Sequence, residues 1–288
     1  MNKAKGSIFL LMASLIWGTA FVAQSVGLSN VGNFTFNAIR NYIGAFVLLP
    51  VIFIMGRFKK EDHIKSDRRT LIKGGIYCGI ALALASSLQQ MGIAAGAQPG
   101  KAGFITALYI IFVPLAGLFT KKKPKGTIWI AVLLAIAGMY LLCVKENLSL
   151  EKADIYLLCG AIAFTFHILT VDRFSPLVNG VKLSCIQFFT CATICMVCMF
   201  LFEEPSFEGI KLAAIPILYA GVMSSGVAYT LQVVGQKSTP PAIATLLMSL
   251  ESVFAVLAGW IILGDTMAIT EIVGCVLVFA GIIIAQIF

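Results

Sequence analysis

Charge is what this 288-residue chain has least of. Asp, Glu, Lys and Arg make up 12% of it, about half the share found in an ordinary soluble domain. It has only two histidines and thirteen carboxylates. No long polar segment breaks the apolar ones apart, and 56–70 is the one stretch that exceeds a turn. Such a chain has too little polar side chain to cover a water-soluble particle of its size. That excludes a soluble enzyme, a disordered regulator and a disulfide-stapled secreted domain. Signatures of chemistry are missing as well. There is no GxxxxGK[ST] loop to cradle ATP phosphates, no HExxH, no GxSxG elbow and no acidic cluster suited to a divalent cation. No catalytic residue, metal ligand or cofactor is therefore expected, and the chain does not read as an enzyme. The eight cysteines all fall inside apolar runs, which argues against a disulfide framework. Cys191, Cys195 and Cys198 share one helical face with no His or carboxylate to join them, and they read as packing residues.

What is present is apolar surface in long runs. Apolar residues account for 59% of the chain before its 26 glycines are counted, and the mean hydropathy is +0.97. A membrane-spanning helix needs about 20 mostly apolar residues. Runs of that kind recur at 7–28, 33–55, 71–95, 99–119, 126–144, 154–172, 183–202, 212–235, 241–263 and 269–287. The expected fold class is an all-α membrane protein with ten transmembrane helices and short loops. The first run is longer than the apolar core of a secretory signal and reads as a span. The net charge of +8 is spread between the runs as topology signals are, so nucleic acid is not an expected partner. With the N-terminus in the cytoplasm, sixteen of the 21 Lys and Arg lie on the inner side, four on the outer side, and Arg40 lies within a helix. The expectation is a multi-pass protein of the cytoplasmic membrane with both termini cytoplasmic.

The runs repeat. A shift of 142 residues lays Gln90 on Gln232, Pro99 on Pro241, Phe112 on Phe254 and Leu115-Ala116-Gly117 on Leu257-Ala258-Gly259. A shift of 143 lays 134–138 (LAIAG) on 277–281 (LVFAG), and one of 147 lays Trp17 on Phe164. Residues 1–148 and 149–288 thus read as two five-helix repeats. Five is odd, so the second repeat must enter the membrane from the opposite side. Inverted repeats are the architecture of secondary transporters, with a site near the midplane where the halves meet.

The segments 12–24 (MASLIWGTAFVAQ), 88–119 (LQQMGIAAGAQPGKAGFITALYIIFVPLAGLF) and 231–265 (LQVVGQKSTPPAIATLLMSLESVFAVLAGWIILGD) resemble the EamA branch of the drug/metabolite transporter superfamily. The resemblance covers nearly the whole chain. It implies a ten-helix exporter of metabolites or amino acids with a central cavity. Ser252 departs from it, since the family usually has proline after the Glu, which leads us to expect a straighter ninth helix here.

The residues that could serve such a site are few. Glu251 is the one carboxylate deep in a run, and a charge at the bilayer centre costs at least about 2.5 kcal/mol. It reads as a proton-coupling group, as a contact for a substrate amine, or as a structural hydrogen-bond partner. His167 is a candidate proton relay or a bonded interior imidazole. Arg40 either snorkels to the outer surface or meets a substrate carboxylate. Gln90 and Gln232 are repeat-matched amides that fit a cavity or an interhelical bond. Trp17, Tyr109, Gln24, Thr106 and Ser249 complete the expected set. Lys101 reads as an interfacial anchor, as do Trp129 and Trp260. The expected function is secondary transport of a small metabolite, such as an amino acid or amine, by alternating access. The partners are that solute, membrane lipid and, for coupling, protons. Export is implied by the resemblance. A lipid-handling flippase or scramblase is the alternative.

Overall fold

The computed structural model of the chain describes residues 3–58, 67–97, 99–119, 124–143, 151–258, 260–261 and 268–287. The basic residues Lys59, Lys60, Lys65, Lys121, Lys122, Lys123 and Lys145, together with Gly259 and the 263–265 LGD, lie outside the described residues. Helices account for the architecture, and no strand occurs among the described residues. Eight helical stretches are long and apolar enough to cross a membrane, and two shorter apolar helices, Gly126–Leu141 and Ile269–Ala285, accompany them. Polarity runs opposite to that of a soluble protein. Large apolar side chains such as Leu133, Phe200 and Ile283 face outward, while Arg40, Gln90, Gln232 and Glu251 are buried. That is the arrangement a hydrocarbon solvent selects. The chain is a multi-pass helical membrane protein.

Three long helices open the bundle: α1 (Lys3–Leu28), α2 (Asn33–Phe58) and α3 (Arg68–Ala94). Two short ones follow, α4 (Pro99–Thr106) and α5 (Tyr109–Leu118), then α6 (Gly126–Cys143). The second half begins with α7 (Lys152–Phe174) and α8 (Gly180–Phe202). After α9 (Phe207–Leu212) and α10 (Ala214–Tyr219) comes a π-helical segment, Ala220–Tyr229, which runs into α11 (Thr230–Gln236). The chain closes with α12 (Pro241–Met248), α13 (Leu250–Ala258) and α14 (Ile269–Ile287).

Small residues decide which helices meet. Helix α6 lies along α14 through Gly138 and Gly281. A Cβ at Gly138 would stand 2.5 Å from the Gly274 carbonyl oxygen, and one at Gly281 would stand 2.6 Å from that of Ala131. Both residues of each contact are related by the 143-residue shift, so the contact is reciprocal. A second pair of contacts repeats in the same way. Gly235 of α11 receives Gly6 and Leu10 of α1, while Gly92 of α3 receives Ala153 and Leu157 of α7. Helix α1 therefore packs on α11, and α7 packs on α3. Helix α2 packs on α8 and on the π-helical segment, where Gly44 and Gly221 remove the side chains that would hold them apart.

Three apolar runs each form one helical stretch but are locally irregular. The run 99–119 is interrupted at Ala107 and Leu108, where Leu108, Ile110 and Ile111 bond back three residues rather than four. Pro114 lacks the N–H that would reach Ile110 and crowds that carbonyl. The run 241–263 is interrupted at Ser249, where Ser252 N–H likewise bonds to the Ser249 carbonyl at 3.1 Å. The run that carries Ser252 is thus locally irregular even without a proline there. The Thr245 and Ser249 hydroxyls each donate to a carbonyl three residues back, Ala242 and Leu246, at 2.9 Å, and such back-bonding bends helices without any proline. The 212–235 run changes to wider π turns where its Gly and Ser residues lie against α2.

Carboxylates cap several helix starts, among them those of α3 and α2. Asp67 accepts from the Arg69 and Thr70 amides, and these bonds hold its carboxyl below the usual carboxylate range. Glu203, at the end of α8, reaches across to the start of α2. It accepts from Phe34 N–H at 2.8 Å, Thr35 N–H at 2.8 Å and the Thr35 hydroxyl at 2.7 Å. Hydrogen bonds to a charged group contribute about 1.5–3 kcal/mol each. Glu203→Ala is expected to destabilise the protein by about 2 kcal/mol, seen as a lower melting temperature in detergent. An unchanged melting temperature would mean that water caps α2 equally well.

Candidate functional site

The helix interruptions meet at the centre of the bundle. Tyr109 opens α5, and Glu251 lies in the first turn of α13. The partial positive charge of that helix start favours an acidic side chain. The Tyr109 hydroxyl donates to Glu251 Oε1 at 3.0 Å, in a fully buried bond between residues 142 positions apart. Around this bond lies a narrow cavity of about 30 Å³. Aromatic and apolar walls come from Trp17, Phe21, Phe164 and Tyr229, and the polar groups from Gln24, Arg40, Gln89, Gln232 and Glu251. The Trp17 and Tyr229 rings meet edge to face with centroids 4.8 Å apart. Gly18 brings α1 against α13 at this level, and a Cβ there would stand 2.8 Å from both Ala255 N and the Glu251 carbonyl oxygen.

A polar chain leads away from the cavity. Gln24 Oε1 accepts from Arg40 Nη1 at 3.1 Å and also from Gln90 Nε2. Gln24 Nε2 donates to the Ala20 carbonyl at 3.2 Å, so its orientation is set from three directions. Several buried polar atoms of the lining make no hydrogen bond within the chain: Trp17 Nε1, Arg40 Nε and Gln232 Oε1. Buried polar atoms are normally paired. Donors and acceptors left open around one cavity are what a polar ligand site offers.

The expected residues divide into two groups. Trp17, Gln24, Arg40, Tyr109, Gln232 and Glu251 line the cavity together. Gln90 stands one bond behind it, through Gln24. His167 is buried outside the lining, with Nε2 at 3.2 Å from Gln187 Oε1 and its ring edge-on to Tyr229. Ser249 is fully buried and bonds the Leu246 carbonyl, so it marks the helix interruption. Arg40 does not snorkel. It is 2% exposed and is turned inward to Gln24 and the cavity. Lys101 is not a free anchor either. It pairs with Asp154 at 2.9 Å and Glu151 at 3.9 Å, joining α4 to the start of α7. Trp260 is exposed, as an anchor should be. The sequence reading missed Tyr229, Gln89 and Phe164. Tyr229 lies one helical turn before Gln232, and that spacing is the signal that could have placed it on the same face.

A second, much wider space of about 570 Å³ opens at one end of the bundle, between Lys125, Asp172, Gln236, Lys237 and Ile243. It is set apart from the central cavity by a contact between their linings, the Gln236 Nε2 bond to the Ile168 carbonyl at 3.4 Å.

The fold and the cavity define a class: a polytopic helical membrane protein that encloses a polar site among apolar helices. The model of the EamA-like transporter family matches the chain twice, at 4–144 and 151–286, and the chain belongs to that family. It is similar over 99% of its length to an uncharacterized transporter of Archaeoglobus fulgidus, at 27% identity and 87% coverage of that protein. The uncharacterized transporter YwfM of Bacillus subtilis is 24% identical, with 96% of this chain and 92% of that one covered. A solved crystal structure shares the fold with a TM-score of 0.80 at 16% identity, covering 99% of this chain and 97% of the other.

Proposed function

We propose that the chain is a secondary transporter that carries a small metabolite, such as an amino acid or amine, through the central cavity by alternating access. In this reading ten spans form two inverted five-helix repeats, 1–148 and 149–288. The observation that carries it is the Tyr109–Glu251 bond. Its partners are separated by the same 142 residues that superpose the halves, so the bond lies where a two-fold axis between them would pass. The reciprocal α6–α14 contact and the paired contacts at Gly92 and Gly235 support the same axis. Two repeats that exchange roles about such an axis have two mirror-related conformations, one open to each side.

The excess of basic residues assigns the wide space near Lys125 and Lys237 to the cytoplasmic side, with both termini there, in the cytoplasmic membrane. The Gln236–Ile168 bond would then be the inner barrier, and the Lys101–Asp154 pair the closure on the outer side. An ion pair is harder to part than one neutral hydrogen bond of 3.4 Å, so this conformation would favour access from within. Export is the direction the family resemblance supports. Glu251 is the titratable group best placed to couple solute movement to protons.

The test is counterflow in liposomes that hold a pH dye and a panel of amino acids and small amines, under an imposed pH gradient. Solute movement accompanied by proton flux is the expected result. Solute movement without it would make the protein a facilitator. No movement of any solute would overturn the metabolite reading and direct attention to lipid.

A further inference from the structure

Arg40 is among the largest fully buried side chains of the protein. Its guanidinium carries five N–H donors, yet it makes one hydrogen bond, from Nη1 to Gln24 Oε1 at 3.1 Å. Nε has no partner. No carboxylate pairs with it among the described residues, and the Phe36 ring lies 5.8 Å from its centre. A cation removed from water without a counter-ion is one of the most unfavourable arrangements in a protein. Snorkelling does not relieve it, because the side chain is 2% exposed and faces the cavity.

We infer that the cavity takes a carboxylate-bearing solute and that Arg40 is the side chain that binds the carboxylate. The inference deepens the transporter reading and rests on it for the identity of the bound molecule as a solute in passage. A guanidinium edge with a free Nε matches a planar carboxylate with two parallel bonds, which a lysine ammonium cannot do. Gln24 holds the guanidinium from one side and is itself held by Gln90 and Ala20, so the open edge has a set direction. Trp17 Nε1 adds a second unused donor. Acceptors line the same cavity. Glu251 is bonded to Tyr109, Gln232 Oε1 is unbonded, and Tyr229 is part of the same lining. A solute with an ammonium group as well as a carboxylate would find an acceptor for the one and a donor for the other. A simple amine would leave Arg40 unmatched.

The test uses the purified full chain, by thermal stabilisation in detergent and by counterflow in liposomes. The probes are the common amino acids, acetate and succinate. For each acid that binds, its methyl ester and its decarboxylated amine follow. We expect at least one acid to stabilise the wild type, and its ester and amine to bind at least 30-fold more weakly. Arg40→Lys, which keeps the charge and loses the fork, should weaken the acid about tenfold, and Arg40→Gln should abolish its binding. An ester or amine that binds within threefold of its acid overturns the inference, as does an acid that binds both variants like the wild type. So does a wild type that no carboxylate stabilises. The comparison of acid with ester needs no variant, so a misfolded Arg40→Gln does not decide it. Arg40-dependent binding of an acid without any flux would sustain the inference and sink the transporter reading. Flux confined to amines would do the reverse.

Discussion

Glu251→Gln is expected to reduce transport at least about 100-fold while leaving the melting temperature within about 2 °C of the wild type. Glutamine has nearly the shape of glutamate, and its Oε1 can still accept the Tyr109 hydroxyl, which is 3.0 Å away in the native protein. The helix interruption at Ser249 and the packing of α13 on α1 do not depend on the charge. What disappears is the ability to hold or release a proton, or to meet a cationic group, inside a cavity where no other carboxylate lines the wall among the described residues. The measurement is the initial counterflow rate in liposomes, alongside thermal unfolding of the same preparation. If the variant carried solute at the native rate, the carboxylate would be a structural hydrogen-bond acceptor and nothing more. Glu251→Ala would not make the same distinction, because it also empties the space around Tyr109.

Gly18→Ala should be the most damaging of the single-methyl changes near the site, although helix propensity alone predicts the opposite sign. Alanine inside a helix is favoured over glycine by about 1 kcal/mol. At Gly18, however, the added Cβ would stand 2.5 Å from Phe254 Cβ and 2.8 Å from both Ala255 N and the Glu251 carbonyl oxygen. Two of these are backbone atoms, which cannot turn aside as a side-chain end can. Overpacking of this kind costs about 1–3 kcal/mol and displaces α13, with Glu251 on it. We expect a lower melting temperature and roughly a tenfold loss of transport, by the dependence of rate on site geometry. Gly56→Ala is the control, since a Cβ there meets nothing within 4 Å and only the propensity gain remains. Were Gly18→Ala to stabilise the protein as Gly56→Ala does, the close approach of α1 and α13 would be wrong.

The spans were legible in the sequence because spanning is a local property. A helix in hydrocarbon satisfies its own backbone hydrogen bonds, so an uncharged run of sufficient length declares itself without reference to its neighbours. The buried carboxylate at Glu251 stood out for the same reason. Arg40 was harder to place. Its position along α2 allowed a route to the surface, and only the packing of α1 and α3, which brings Gln24 and Gln90 beside it, turned it inward. His167 and Ser249 were reasonable members of the site by depth, yet helix rotation keeps both out of the lining. In lipid the outward face of a helix is apolar and much of the inward face is apolar too, so no polar stripe announces which side looks inward. Tyr229 was overlooked because its importance depends on Trp17, His167 and Phe188 arriving from three other helices.

The sequence by itself determined that this is a helical membrane protein and where its apolar segments lie. Those properties follow from hydropathy and from residue order, which neighbouring helices do not alter. Only the tertiary structure decided where the helices break, which polar residues share one cavity and which stand behind it. Those outcomes depend on close approaches at glycines such as Gly18, Gly138 and Gly281, and on hydroxyls and prolines that compete for backbone carbonyls. Such contacts join residues more than a hundred positions apart, and no local pattern along the chain specifies them.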